Sequence, residues 1–163
     1  MTSLTAKVLH VAASQVGVRE LGRNRGERVE LYQNRAGARP GDPWCAAFVS
    51  WCFGVASNDL ELPCPLRLTP RALDLWKKAP VELRSSWPTV GAIFVIDHGG
   101  GLGHCGLVES FLDGDLVIVT IEGNTGPKGG RDGDGVYRRT RPLAEINLGY
   151  VDYGRERNAE RVG

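Results

Sequence analysis

Cys45 stands in the run Gly41-Asp42-Pro43-Trp44-Cys45-Ala46-Ala47-Phe48-Val49. An acidic residue and a proline ahead of an apolar block mark a helix start, with Asp42 read as the cap and Pro43 as the first helical position. In the first turn of a helix the unpaired backbone N–H groups and the helix dipole stabilise an anion, so a thiol placed there is expected to ionise readily. The thiolate is the form that attacks a carbonyl carbon. The competing role for Cys45 is that of a small buried apolar residue. Cys52, deeper in the same expected helix where no N–H is free, is read as structural. A thiolate nucleophile needs a proton carrier, and there are three histidines. His10 falls on a helical pattern and His98 in a glycine-rich loop. Only His104, in Gly103-His104-Cys105-Gly106-Leu107-Val108-Glu109, opens a strand, which gives the rigid placement a general base requires; its other reading is a satisfied edge histidine.

The run Thr120-Ile121-Glu122-Gly123-Asn124-Thr125 offers the imidazole a partner. With a two-residue Asp113-Gly114 turn, His104 would pair with Gly123 and Glu122 would point to the other face. A three-residue loop, Leu112-Asp113-Gly114, with Gly114 in the left-handed position of a bulge, sets Phe111 opposite Asp115 and His104 directly across from Glu122. Cross-strand Cβ atoms are then about 5 Å apart, and Asn124 shares the face. The three-residue loop is preferred because it supplies an acceptor, Glu122 or Asn124, for one ring nitrogen.

Other arrangements of these residues fit less well. Zinc on Cys45, His98, His104 and Cys105 lacks any Cys-x-x-Cys or His-x-x-x-His spacing, and adjacent strand residues His104 and Cys105 point to opposite faces. Calcium at Asp132 and Asp134 lacks the longer ligand ladder and the terminal glutamate. No metal and no cofactor are expected. Gly99 to Gly103 lacks the Lys-Ser/Thr and helix of a phosphate loop and reads as a flexible rim beside His104. Trp51, Trp76 and Trp87 read as core, and Trp44, beside the thiol, as a substrate contact. Cys64 and Cys105 take no assigned role; a Cys52–Cys64 bridge is conceivable but has no support.

The elements that must hold these residues follow from periodicity. Leu4, Val8, Val11 and Gln15 share one face of a helix over residues 3–16, ended by Gly17. A second helix runs from Glu27 to about Arg35. The helix carrying Cys45 is apolar nearly all round and belongs in the middle of the core. Thr69-Pro70 opens a fourth helix to Lys78. Beyond Pro80-Trp87 the pattern turns to period two. Strands are expected at Gly91–Ile96, Gly106–Leu112, Leu116–Ile121, Gly135–Thr140 and Leu148–Asp152. Helices followed by an antiparallel sheet of about five strands give an α+β fold, as a single domain over residues 1–153 with a charged tail over 154–163. The 20 basic and 19 acidic residues nearly cancel, which argues against a dedicated nucleic-acid binder. No apolar run reaches the roughly 18 residues of a membrane span. Four cysteines in 163 residues are too few for a disulfide scaffold.

Order and spacing together resemble the cysteine- and histidine-dependent amidohydrolase/peptidase (CHAP) family. The resemblance lies in Gly41 to Cys52, in Pro88 to Val95 (with Ala92 where an acidic residue is more usual), in Gly103 to Glu109, and in Ile121-Glu122-Gly123-Asn124. It spans roughly Ala12 to Tyr150. It implies a papain-like α+β fold and hydrolysis of amide bonds in bacterial cell-wall peptides. By position, Cys45 would be the nucleophile and His104 the general base, with Glu122 orienting the imidazole and Asn124 assisting or taking that role. The backbone N–H of Cys45 is the expected oxyanion donor. An inactive module that binds wall peptides or a partner protein is the alternative. No signal peptide is read at the N-terminus, so action on the wall is expected after release or delivery by other machinery, with an immunity or delivery protein as a conceivable partner.

Overall fold

The computed structural model describes residues 3–112, 114, 116–127 and 133–155. Helix α1 (Leu4–Ser14) starts at Ser3, whose hydroxyl accepts the Ala6 N–H at 3.2 Å, and buries Leu4, Val8, Val11 and Ala12. Helix α2 (Glu27–Ala36) buries Val29, Tyr32 and Gln33 and ends on the left-handed Gly37. Helix α3 (Cys45–Asp59) is buried on nearly every side, as its unbroken apolar pattern requires. It packs against α1, α2 and the sheet. Helix α4 (Ala72–Lys77) is shorter than expected, because Thr69 spends its hydroxyl on the Arg71 N–H, forming a turn ahead of the helix. No helix among the described residues is long and apolar enough to cross a membrane.

Among the described residues the sheet has six strands rather than five: β1 (Arg84–Ser85), β2 (Ile93–Gly99), β3 (Leu102–Phe111), β4 (Val117–Thr125), β5 (Gly135–Pro142) and β6 (Gly149–Val151), in the order β1-β6-β2-β3-β4-β5 and antiparallel at every pairing. The unforeseen strand, β1, is two residues long and has no alternation to read. One face of the sheet joins the main core through Ile93, Val95, Cys105, Leu107, Ile121 and Val151. The other carries Ala92, Phe94, Ile96, Val108, Ile118 and Tyr150, covered in part by Leu143 and Ile146. Helices lead and the sheet follows, so the architecture is α+β.

The β3–β4 register differs from expectation. Leu107 pairs with Ile121 and Val108 with Thr120; past a bulge at Glu109, Phe111 pairs with Ile118, not Asp115. The Leu112 N–H closes the turn on the Val117 carbonyl at 2.8 Å, so the loop is longer than three residues. Asp113 and Asp115, on which the turn expectation rests, lie outside the described residues, as do Asp132 and residues 156–163 of the tail.

Candidate active site

Helix α3 begins at Cys45, with Trp44 as its cap residue, so the thiol occupies the first helical position. Asp42 is not the cap: its carboxylate turns back to accept the Arg39 N–H at 2.9 Å. The segment ahead of the helix is held instead by buried Gln33, whose amide donates to the carbonyls of Asn24 and Asp42 at 2.9 and 2.7 Å. Trp44 is fully buried. It stacks on Tyr32 at 5.7 Å and donates its indole N–H to Glu20 at 2.7 Å. Its ring therefore presents no surface to a substrate; it anchors the helix start to the loop before α2, a use that depends on Glu20 and Tyr32 and could not be read from its neighbours.

His104 lies on β3 opposite Ile96, beside the ring of Phe94 at 6.0 Å. Its Nε2 meets Glu122 Oε2 at 2.6 Å. The contact expected between these two residues forms, although they are not directly opposed. The register shift places Glu122 diagonally from His104, and its side chain reaches the imidazole over Gly106. A Cβ on Gly106 would lie 2.8 Å from Glu122 Cγ and from Phe94 Cε1, and 2.9 Å from the Ile121 carbonyl oxygen. Gly106→Ala is therefore expected to push Glu122 off the imidazole and to lower stability by about 1–3 kcal/mol. Urea melts of the variant would check this, and a wild-type melt would refute it.

A second glycine sets the approach of helix to sheet. At Gly123 a Cβ would lie 2.7 Å from Phe48 Cβ and 2.8 Å from the Trp44 ring, so only glycine lets β4 come this close to the start of α3. Asn124 follows with φ 54, in the left-handed region that asparagine tolerates. The β4–β5 ladder loses its register between Glu122 and Thr125. Asn124 is buried and its Oδ1 makes no hydrogen bond; Glu122, not Asn124, holds the imidazole.

These elements bring the Cys45 thiol within electrostatic reach of both Cys105 and His104. Alternation does send Cys105 into the core under α3 and His104 to the side of Phe94, yet both reach the sulfur. With Nε2 engaged by Glu122, Nδ1 is the ring nitrogen left for the thiol. The hydrogen bond from Cys105 holds the Cys45 thiol well below its ordinary range against the opposing effect of burial, helped by His104 and the Ala46 N–H. Burial alone would lower His104, but hydrogen bonds and charge from Cys45 and Glu122 push it up to about 9. Glu122 would be raised by burial; Arg141 and His104 hold it at about 2. The shifts of Cys45 and His104 run in the directions that favour a thiolate–imidazolium pair beside the Glu122 carboxylate. Cys52 is the contrast: with burial dominant, its thiol is pushed well above the usual range. All four cysteines are free, so Cys52 and Cys64 are not joined. Asp134, weighed as a calcium ligand, accepts the Tyr137 hydroxyl at 2.6 Å. Among the described residues no three His, Cys, Asp or Glu side chains gather as a metal site.

Sequence reasoning missed Arg141, Thr120, Glu20, Gln33 and the contact of Cys105. Arg141 sits in the run Arg138-Arg139-Thr140-Arg141, which reads as a solvated edge; nothing local marks it as buried.

The sequence model of the CHAP domain matches residues 37–124, more than half of the chain and all of Cys45, His104, Glu122 and Asn124. The chain belongs to the CHAP family. No curated protein matches it. The solved structure of Ly7917 is similar, with a TM-score of 0.50 at 19% identity, and the match covers 92% of this chain and 60% of that one. At that identity the likeness concerns the fold. Strands β5 and β6, which complete the sheet, lie beyond the stretch matched to the CHAP model.

Proposed function

We propose that this CHAP domain is a peptidoglycan hydrolase, an N-acetylmuramoyl-L-alanine amidase or a peptide endopeptidase, working through a thiol acyl-enzyme. The observation that carries the reading is the His104–Glu122 contact of 2.6 Å beside a thiol at the first position of a buried helix. On this reading the thiol is ionised before attack, in keeping with its lowered titration, and His104 acts first as an acid. The Cys45 thiolate attacks the amide carbonyl and the oxygen takes up the charge near the free N–H groups of the helix start, the Cys45 N–H among them. Collapse breaks the C–N bond as the imidazolium protonates the departing amine. The neutral imidazole then takes a proton from water, which opens the thioester and restores the ion pair. The orientation of the imidazole by Glu122 supports this sequence, and buried Asn124 lines the same stretch of β4.

Digestion of purified murein with mass spectrometry of the released peptides tests the reading. New N-terminal L-alanine marks an amidase and other new peptide ends an endopeptidase; intact murein would overturn both and favour an inactive wall-binding module. The pH dependence follows from the site. Hydrolysis needs protonated His104, so it is expected to fall as pH rises through about 9. Iodoacetamide should label Cys45 in the folded protein well below the ordinary thiol pKa of roughly 8.5, while buried Cys52 stays silent. Labelling that rises only above that value would exclude the ion pair.

A further inference from the structure

Glu122 holds more than the His104 imidazole. Its Oε1 accepts from Arg141 Nε at 2.5 Å and from the Thr120 hydroxyl at 2.6 Å, and its Oε2 accepts from Arg141 Nη2 at 2.8 Å as well as from His104. The Arg141–Glu122 pair is thus a two-point fork, a geometry that lysine cannot reproduce. Arg141 faces Ile118 across the β4–β5 ladder, whereas Glu122 faces Tyr137. The guanidinium therefore runs back along one face of the sheet to reach the carboxylate. Arg141 is 8% exposed and lies over the Phe94 ring at 5.5 Å, with Nη1 on Glu145 at 3.1 Å. It also stands outside the stretch matched to the family, which ends at residue 124.

We propose that Arg141 is a positioning residue of the thiol site, locking Glu122 in the rotamer that faces His104 and balancing the charge of the buried Cys45–His104–Glu122 set. The proposal rests on reading Cys45 and His104 as the reactive pair. A thiolate, an imidazolium and a carboxylate leave one uncompensated negative charge in a site shielded from water, and the guanidinium cancels it. The groups facing this set are Cys45 at the start of α3, His104 and Cys105 on β3, Glu122 on β4, Arg141 on β5 and Glu145 in the turn after β5. Among the described residues, Arg141 is the one Lys or Arg side chain that acts on Glu122.

The test is the pH profile of Cys45 alkylation by iodoacetamide, read by peptide mass spectrometry beside kcat and KM on murein peptides. Arg141→Met removes the charge and should shift the midpoint of alkylation upward by about one pH unit. Arg141→Lys keeps the charge but not the fork. It should hold the midpoint near that of the wild type while kcat falls roughly ten- to a hundredfold at little change in KM. A folded Arg141→Met protein with an unmoved midpoint would overturn the proposal. If that variant does not fold, Arg141→Lys decides, and wild-type kcat would overturn it. Alkylation reads the sulfur without any wall substrate. A protein that shows the midpoint shift but leaves murein intact would therefore keep Arg141 in this role while removing the proposed reaction.

Discussion

Replacing Cys45 with alanine is expected to abolish murein hydrolysis, a loss on the order of a million-fold when nucleophile and base act as one unit. Loss of activity alone could reflect misfolding, so a second readout matters. Cys45 raises His104 through a hydrogen bond and through its charge. In Cys45→Ala the imidazole should therefore titrate below the value of about 9 in the wild type, as followed by NMR of the ring protons, with the thermal melt retained. A Cys45→Ala protein that digests murein at the normal rate would remove the thiol from the reaction. An unchanged His104 titration would separate the sulfur from the imidazole.

Glu122→Gln should have the next largest effect, on activity and on stability together. The glutamine is neutral and can no longer hold both an imidazolium and a guanidinium. Arg141 would keep only half-exposed Glu145, at 3.1 Å, as a carboxylate partner. Breaking a buried pair from one side typically costs about 3–5 kcal/mol, and kcat/KM should fall at least about a hundredfold as the ion pair weakens. The pH dependence gives a sharper signature. In the wild type Glu122 is depressed from 4.5 to about 2. Its contribution to stability is complete above the unfolded value of 4.5 and disappears as pH falls through about 2. His104 is raised from 6.5 to about 9, so its contribution is complete below 6.5 and disappears as pH rises through about 9. Urea melts of Glu122→Gln across both windows should show the acid loss gone and the alkaline loss reduced. Wild-type curvature in the variant would show that the carboxylate does not carry these terms.

Much of the site could be read from local pattern. Cys45 at the start of a buried helix follows from the turn residues at 41–43 and the apolar block behind them, even though Asp42 proved not to be the cap. His104 follows from opening an expected strand, although His98, read as a loop residue, also lies on one, near the end of β2. Its contact with Glu122 survived an error in register because the shift was two residues: side chains alternate with period two, so a two-residue slip leaves both on the same face, whereas a one-residue slip would have parted them. What closed the remaining distance was the missing Cβ of Gly106, which a strand pattern does not show.

By itself, then, the sequence determined which residue types stand at a helix start, which face of each strand is apolar, and that His104 belongs to a strand, since these depend on neighbours a few positions apart. The tertiary structure decided the rest: six strands, the bulge at Glu109, Trp44 sealed against Tyr32 and Glu20, Cys105 on the thiol, and Arg141 on Glu122. Each depends on how the chain returns from far away, and the free energy that selects it comes from packing and charge pairing between segments that local spacing does not connect.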